Sequence, residues 1–197
     1  MLEKDLRCGT RNASHVVRRV RVVIALPLLG VFVLVVLAFG PPTIEVGKTV
    51  LLTPRTKTSG CTLAANPDRR CSPGAYYSKL TKAVICSSTF RTSQVRNVPQ
   101  SVKFDVEREY GMEARRYGSS LEIDHIVSLE LGGSNEIANL FPETLFAHPG
   151  YRIKDKLENK LHDLVCSGAM TLRSVRVRIA SDWQKLYKQV YGVAPSG

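Results

Sequence analysis

Residues 121–141 read L-E-I-D-H-I-V-S-L-E-L-G-G-S-N-E-I-A-N-L-F, and no other stretch restricts the fold so tightly. Leu121 to Leu131 alternates well enough for a strand, although Ile126-Val127 blurs the period. Gly132-Gly133-Ser134-Asn135 supplies the residues of a tight turn or small loop. Asn139-Leu140-Phe141 then opens a return strand that Pro142 is expected to stop. Behind this hairpin, Tyr151 to Cys166 carries Ile153, Leu157, Leu161, Leu164 and Val165 in one apolar stripe, with Gly168 just past its end. A further helix is predicted from about Leu172 to Tyr191, with Val175, Ile179, Trp183, Leu186 and Val190 on one face. Ahead of the hairpin, Ser101 to Tyr117 predicts a helix that Gly111 interrupts near its end. The order helix, β-hairpin, helix, helix predicts an α+β domain. Trp183, at helical spacing, is expected in its core.

At the N-terminus, Val22 to Gly40 gives nineteen positions without a charge. At about 1.5 Å per residue this nearly spans a hydrocarbon core of about 30 Å. Arg18, Arg19 and Arg21 abut the run, with Lys4, Arg7 and Arg11 upstream. Positive residues stay on the cytoplasmic side, so the pattern predicts a basic tail at 1–21, a transmembrane anchor at 22–40 and export of the rest. The run exceeds the core of an ordinary signal peptide, which favours an uncleaved anchor. Cleavage near Gly40, with secretion, is the alternative.

The whole chain of 197 residues has a net charge of +11. Residues 1–40 hold six Lys/Arg and two Asp/Glu, which leaves 22 basic and 15 acidic residues and a charge of +7 for the remainder. A basic body predicts a polyanionic partner, nucleic acid or an anionic surface. Cys61, Cys71, Cys86 and Cys166 follow the apolar run, an even number suited to disulfides in an oxidising compartment, and three connectivities are open. Residues 41–60 mix Pro, Gly, Thr and Lys and read as a linker with a brief strand at Val50–Leu52; residues 61–192 form the domain and 193–197 a tail. Between Cys61 and Pro99 the chain is turn-rich, with a short helix or strand at Thr81 to Ile85.

Asp124-His125 carries the chemistry. A carboxylate beside an imidazole can hold a divalent cation next to a base that titrates near neutrality. Neighbours on a strand face opposite ways, so the pair is expected at a strand end or a distorted turn. Lys154, Lys156 and Lys160 lie on the helix after the hairpin, where they either meet phosphates or are plain solvated lysines.

The pattern E-x-D-H-I-x-x-L-E-L-G-G-S-N-x-x-x-N-L-F-P-E resembles the core of HNH (His-Me finger) endonucleases. D-R-R-C-S-P-G-A, V-I-C-S-S-T-F-R-T-S-Q-V-R and K-D-K-L-E-N-K-L-H-D-L-V-C-S-G resemble exported bacterial HNH-type proteins, so the resemblance covers roughly Asp68 to Gly192. It implies a ββα-metal core flanked by helices and metal-dependent hydrolysis of DNA phosphodiester bonds. His125 would be the general base and Asp124 a ligand of Mg²⁺ or a similar divalent ion. Asn139 would be the middle asparagine of the site, tying the strands together and fixing His125. His148 would be the further metal ligand ahead of the helix, in preference to Asn159 and His162, which the helical wheel turns away from the apolar stripe. No small-molecule cofactor is expected. Two other readings fit the basic composition: a non-catalytic DNA-binding envelope protein on a degenerate HNH scaffold, and a structural envelope protein that meets anionic lipid or cell-wall polymer.

Overall fold

The computed structural model describes residues 44–113, 116, 118–144 and 150–196. The chain divides into two units, Met1–Pro42 and Thr43–Gly197, and every described residue belongs to the second. The expected basic tail and the anchor at 22–40 lie outside the described residues. Among those described, no helix is long and apolar enough to cross a membrane.

The second unit is a mixed α+β structure. β1 (Thr49–Leu51) pairs antiparallel with β2 (Ala75–Tyr77), and α1 (Lys82–Ile85) and α2 (Gln100–Glu109) follow. β3 (Leu121–His125) pairs antiparallel with β4 (Leu140–Thr144), and α3 (Tyr151–Cys166) and α4 (Leu172–Tyr191) complete the order. Residues 44–60, expected as a linker, are instead built into the unit. They contribute β1, and Arg55 both ion-pairs with Glu109 of α2 and donates to the Cys71 carbonyl at 2.7 Å.

Three local expectations need correction. α2 ends at Glu109 rather than Tyr117, because Gly111 turns left-handed (φ +67°) and the amides of Gly111 and Met112 return to the carbonyls of Arg108 and Glu107. β3 stops at His125, short of Leu131. Ile126, Val127, Ser128 and Leu129 are all buried, which a two-faced strand cannot achieve, and the chain passes through 3-10 turns at Leu129–Leu131 and Ile137–Asn139. Of the two expected connections, a tight turn or a small loop, the structure has an ordered loop from Ile126 to Asn139. Finally, Pro142 sits inside β4, opposite Ile123, and does not end it. In a two-stranded sheet each strand has a free edge, where a missing N–H costs no ladder bond.

The glycine pair holds this loop against β2. Gly132 takes φ +76°, and a Cβ on Gly133 would lie 1.7 Å from the Val127 carbonyl oxygen, so no side chain fits. The Tyr77 amide donates to the Gly132 carbonyl at 2.9 Å and the Ser134 amide to the Ala75 carbonyl at 3.1 Å. Arg176 of α4 clamps the same place. Its guanidinium donates to the carbonyls of Leu131 and Leu80, each at 2.7 Å, and lies over the Tyr76 ring.

One core collects Phe141, Leu131, Leu140, Leu157, Leu161, Val165, Ile179, Trp183 and Leu186, all fully buried. Each such side chain contributes about 1.5–3 kcal/mol through the water it sheds. Trp183 is core, as its spacing predicts, with Nε1 donating to the Ala65 carbonyl at 2.7 Å. α4 is broken at Asp182, whose extended backbone (φ −165°, ψ 93°) lets its carboxylate cap the next turn through the Lys185 amide. Of the three open connectivities the structure selects Cys61–Cys71 and Cys86–Cys166. The second closes a separation of 80 residues and ties α1 to the end of α3. Bonds of this kind persist in oxidising compartments.

Candidate functional site

β3, β4 and α3 converge on one group of titratable side chains. β3 brings Glu122, Asp124 and His125, β4 brings Glu143, and α3 brings Lys154, Asp155 and Glu158. His125 is the last residue of β3, so Asp124 and His125 sit at a strand end, as expected for neighbours that must serve one site. Asp124, Asp155, Glu158 and Asn159 line a cleft of about 260 Å³ with His125, Glu122 and Arg96.

The orientation of His125 can be read from its partner. Asn135 donates through Nδ2 to the Val95 carbonyl at 2.7 Å and to the Tyr77 hydroxyl at 3.1 Å. A carbonyl accepts only, so the amide is fixed with Oδ1 facing His125 Nε2 at 3.1 Å. Nε2 therefore carries the proton. Nδ1 is left with its lone pair, buried and without a partner. Burial pushes this imidazole down to about 4, against the pull of the Asp124 carboxylate. The ring is therefore neutral at physiological pH with Nδ1 unprotonated, and burial corrects the expectation of a base that titrates near neutrality.

Lys154 departs most from expectation. It was placed with Lys156 and Lys160 as a phosphate contact or solvated lysine, yet it is 1% exposed. Its ammonium ion-pairs with Asp124 and Glu158 and donates to the His125 carbonyl at 2.8 Å. All three donors are spent inside the protein, so a role in meeting phosphate is corrected to one of holding this cluster. Lys156 and Lys160 are exposed.

One ammonium cannot neutralise every carboxylate around it. Burial raises Asp124, but the Lys154 charge and hydrogen bond outweigh it, and the group ends below the usual carboxylate range. Burial keeps Glu158 well above that range despite Lys154. Glu143 is 2% exposed with neither oxygen bonded, and burial pushes it up to about 8, with Lys154 opposing and Asp124 adding to the rise. Lys154 thus favours the charged form of Asp124, while burial pushes Glu143 and Glu158 towards their neutral forms. Burial and the Asp124 charge raise Glu122 and Asp155 as well.

These shifts predict a pH signature. Below pH 6.5 an unfolded chain protonates His125 before the folded one does, so the stability His125 contributes is present above 6.5 and is lost as pH falls towards 4. Glu143 has the opposite sign: its folded value lies above its ordinary 4.5, so its contribution is present below 4.5 and is lost as pH rises to about 8. Between 4.5 and 6.5 the two offset. From pH 6.5 to 8 the His125 contribution is constant and the Glu143 loss, about 2 kcal/mol, remains, with Glu158, also raised, adding to the decline. Thermal unfolding across that window should show the decline in the wild-type protein and a shallower one in Glu143→Gln. Equal slopes in the two would remove Glu143 from the account.

Asn139 ties backbone segments together as expected, but its bonds go to β2 and the loop and not to His125. Oδ1 accepts from the amides of Ala75 and Val127, each at 3.0 Å, and Nδ2 donates to the carbonyls of Val127 at 3.0 Å and Ser134 at 2.8 Å. Its hydrogen-bonding capacity is filled, so it has no polar atom left for a substrate. Instead it pins β2 to both ends of the loop that carries Asn135.

His148 lies outside the described residues. Asn159, expected to face away from the hairpin, is exposed but lines the acidic cleft. His162 does turn away, towards α1, with Nε2 at 3.1 Å from the Ile85 carbonyl oxygen. Among the described residues, Cys86, His162 and Cys166 bring three donor atoms within 4.8 Å of one another, a group that can hold a metal ion. Thiolates are the ligating form, and here the two sulfurs are joined in a disulfide.

Sequence reasoning missed Asn135, Glu143 and Glu158, and gave Lys154 another role. Asn135 passed as a turn residue. Lys154 and Glu158, at i and i+4, imitate an exposed helical ion pair. One signal was legible: they share a helical face with Leu157, Leu161 and Val165, which continues the apolar stripe with charge. Comparison of the chain with protein-family models, with curated proteins and with solved structures finds no match.

Proposed function

We propose that the protein is a metal-dependent endonuclease of HNH type that hydrolyses DNA phosphodiester bonds outside the cytoplasm. The observation that carries this reading is His125, with Nε2–H held by Asn135 and Nδ1 left as an unpartnered base beside a carboxylate cluster. The order β3, loop, β4, α3 supports a ββα-metal core, as does the HNH-like motif that runs through it. In the reaction, Nδ1 takes a proton from the attacking water, and the Asn135 bond keeps the ring turned for that transfer.

Asp124 is the proposed metal ligand, with His148 as a second donor. The buried, unbonded oxygens of Glu143 fit a centre for a hard cation, whose charge would displace the proton that burial favours there. A divalent ion, magnesium by preference, would neutralise charge that builds on the phosphate and the leaving oxygen. The basic balance of the chain and its exposed Lys156 and Lys160 favour DNA as the partner. The two disulfides favour export. Anchorage through residues 22–40 is part of the same proposal.

Lys154 favours a second reading, a DNA-binding envelope protein on a degenerate HNH scaffold. An ammonium already paired with Asp124 competes with any metal for that carboxylate. Incubation of the full chain with supercoiled plasmid, with Mg²⁺ or with EDTA, separates the two. Nicking that EDTA abolishes is expected for the endonuclease. A salt-sensitive mobility shift without any nicking sinks the endonuclease and leaves the binding protein.

A further inference from the structure

Next to the acidic cleft, and also lined by His125, is a second cavity of about 440 Å³, most of whose lining the proposed chemistry does not use. Val98, Phe104, Leu121 and Ile123 give it apolar walls. Glu107 of α2 reaches it from within the protein: it is 7% exposed, and its Oε2 is buried without a partner. Lys103 lies one helical turn earlier, and Arg96, Glu122 and His125 are shared with the acidic cleft.

A buried carboxylate oxygen without a donor is costly, and a cavity that leaves one unbonded is shaped for something that brings N–H groups. Apolar walls with a few polar groups are the usual make-up of a small-molecule site, and the volume matches one nucleotide rather than a duplex. We propose that this cavity is a subsite for a single unstacked nucleobase, held next to the phosphate that lies at His125. It rests on the endonuclease reading for that phosphate, and it deepens it by assigning a substrate class: single-stranded or locally opened nucleic acid, with preference for a base rich in donors.

The chemistry selects among bases. Glu107 accepts and cannot donate while ionised. Guanine offers two N–H groups side by side on one edge, adenine and cytosine each offer an exocyclic amine, and thymine offers one ring N–H flanked by two carbonyls that repel a carboxylate. Phe104 and the aliphatic walls meet the face of the ring, as stacking platforms do for unpaired bases. Arg96 and Lys103 supply positive charge for the attached phosphate. Glu107 is therefore a specificity-determining residue.

The test is calorimetric titration of the full chain with dGMP, dCMP, dAMP and TMP, beside the Glu107→Gln variant. The expected result is dGMP bound at least 10-fold more tightly than TMP, and a loss of that preference in Glu107→Gln at unchanged Tm. The amide keeps the shape of the carboxylate but presents one donor and one acceptor, so a purely structural role for Glu107 would move Tm and leave the base order alone. Failure of all four nucleotides to bind, or the same order in both proteins, overturns the subsite. Preferential dGMP binding in a chain that never nicks plasmid supports the subsite and sinks the endonuclease, so the two failures are distinguishable.

Discussion

His125→Ala should lower plasmid nicking by about 10²–10⁴-fold, the usual worth of a positioned general base, while the protein stays folded. The loss follows from Nδ1, the unpartnered acceptor at the end of β3. Folding should survive because Asn135 keeps its bonds to Tyr77 and Val95 without the imidazole. The substitution also removes a group whose proton uptake opposes the folded state in acid, so Tm below pH 6.5 should fall less steeply than in the wild-type protein. Initial rates of supercoiled-plasmid conversion, with Tm measured at pH 5 and pH 7, give both readouts. A variant that nicks at the wild-type rate removes His125 from the mechanism. One that loses activity and also fails to fold at pH 7 makes the residue structural.

Lys154→Met carries the largest expected effect on stability, a loss of about 3–5 kcal/mol, because removing one partner of a buried ion pair strands the other. The stranded group is Asp124, which the Lys154 ammonium holds in its charged form. Glu158 and the His125 carbonyl lose the same donor. In a domain of this size each kcal/mol is worth about 2–4 °C, so Tm should drop by roughly 10 °C or more. Methionine fills much the same volume, which keeps packing loss from explaining the result. The double variant Lys154→Met/Asp124→Asn should recover a large share of the loss, since no charge then remains unpaired. If the two substitutions destabilise additively, the pair is not what holds α3 to β3.

The same contact shows why part of the site was hidden in the sequence. Asp124 and His125 are adjacent in the chain, so their pairing is a local fact. Lys154 meets Asp124 across thirty positions. In K-D-K-L-E-N only the shared face with Leu157 hints that Lys154 is drawn inward; its partner is set by the docking of α3 against β3. Asn135 is a similar case. In G-G-S-N it is an ordinary turn residue, and it becomes the partner of His125 because Tyr77 and the Val95 carbonyl turn its amide to face the ring. Glu107 reads as one polar position of an amphipathic helix, and its burial depends on what α2 packs against.

By itself the sequence determined the helices at Tyr151–Cys166 and Leu172–Tyr191, the core position of Trp183, an α+β architecture and the Asp-His pair at a strand end. These rest on periodicity, on glycine stops and on neighbouring residues, all of them local. Tertiary structure decided the length of β3, the accommodation of Pro142, the disulfide pairing, the structural role of Asn139 and the burial of Lys154. Each of these depends on which surfaces meet. The free energy of burying a charge, of filling a cavity or of leaving an edge unpaired is set by groups far away in the chain, and a periodic pattern carries no record of them.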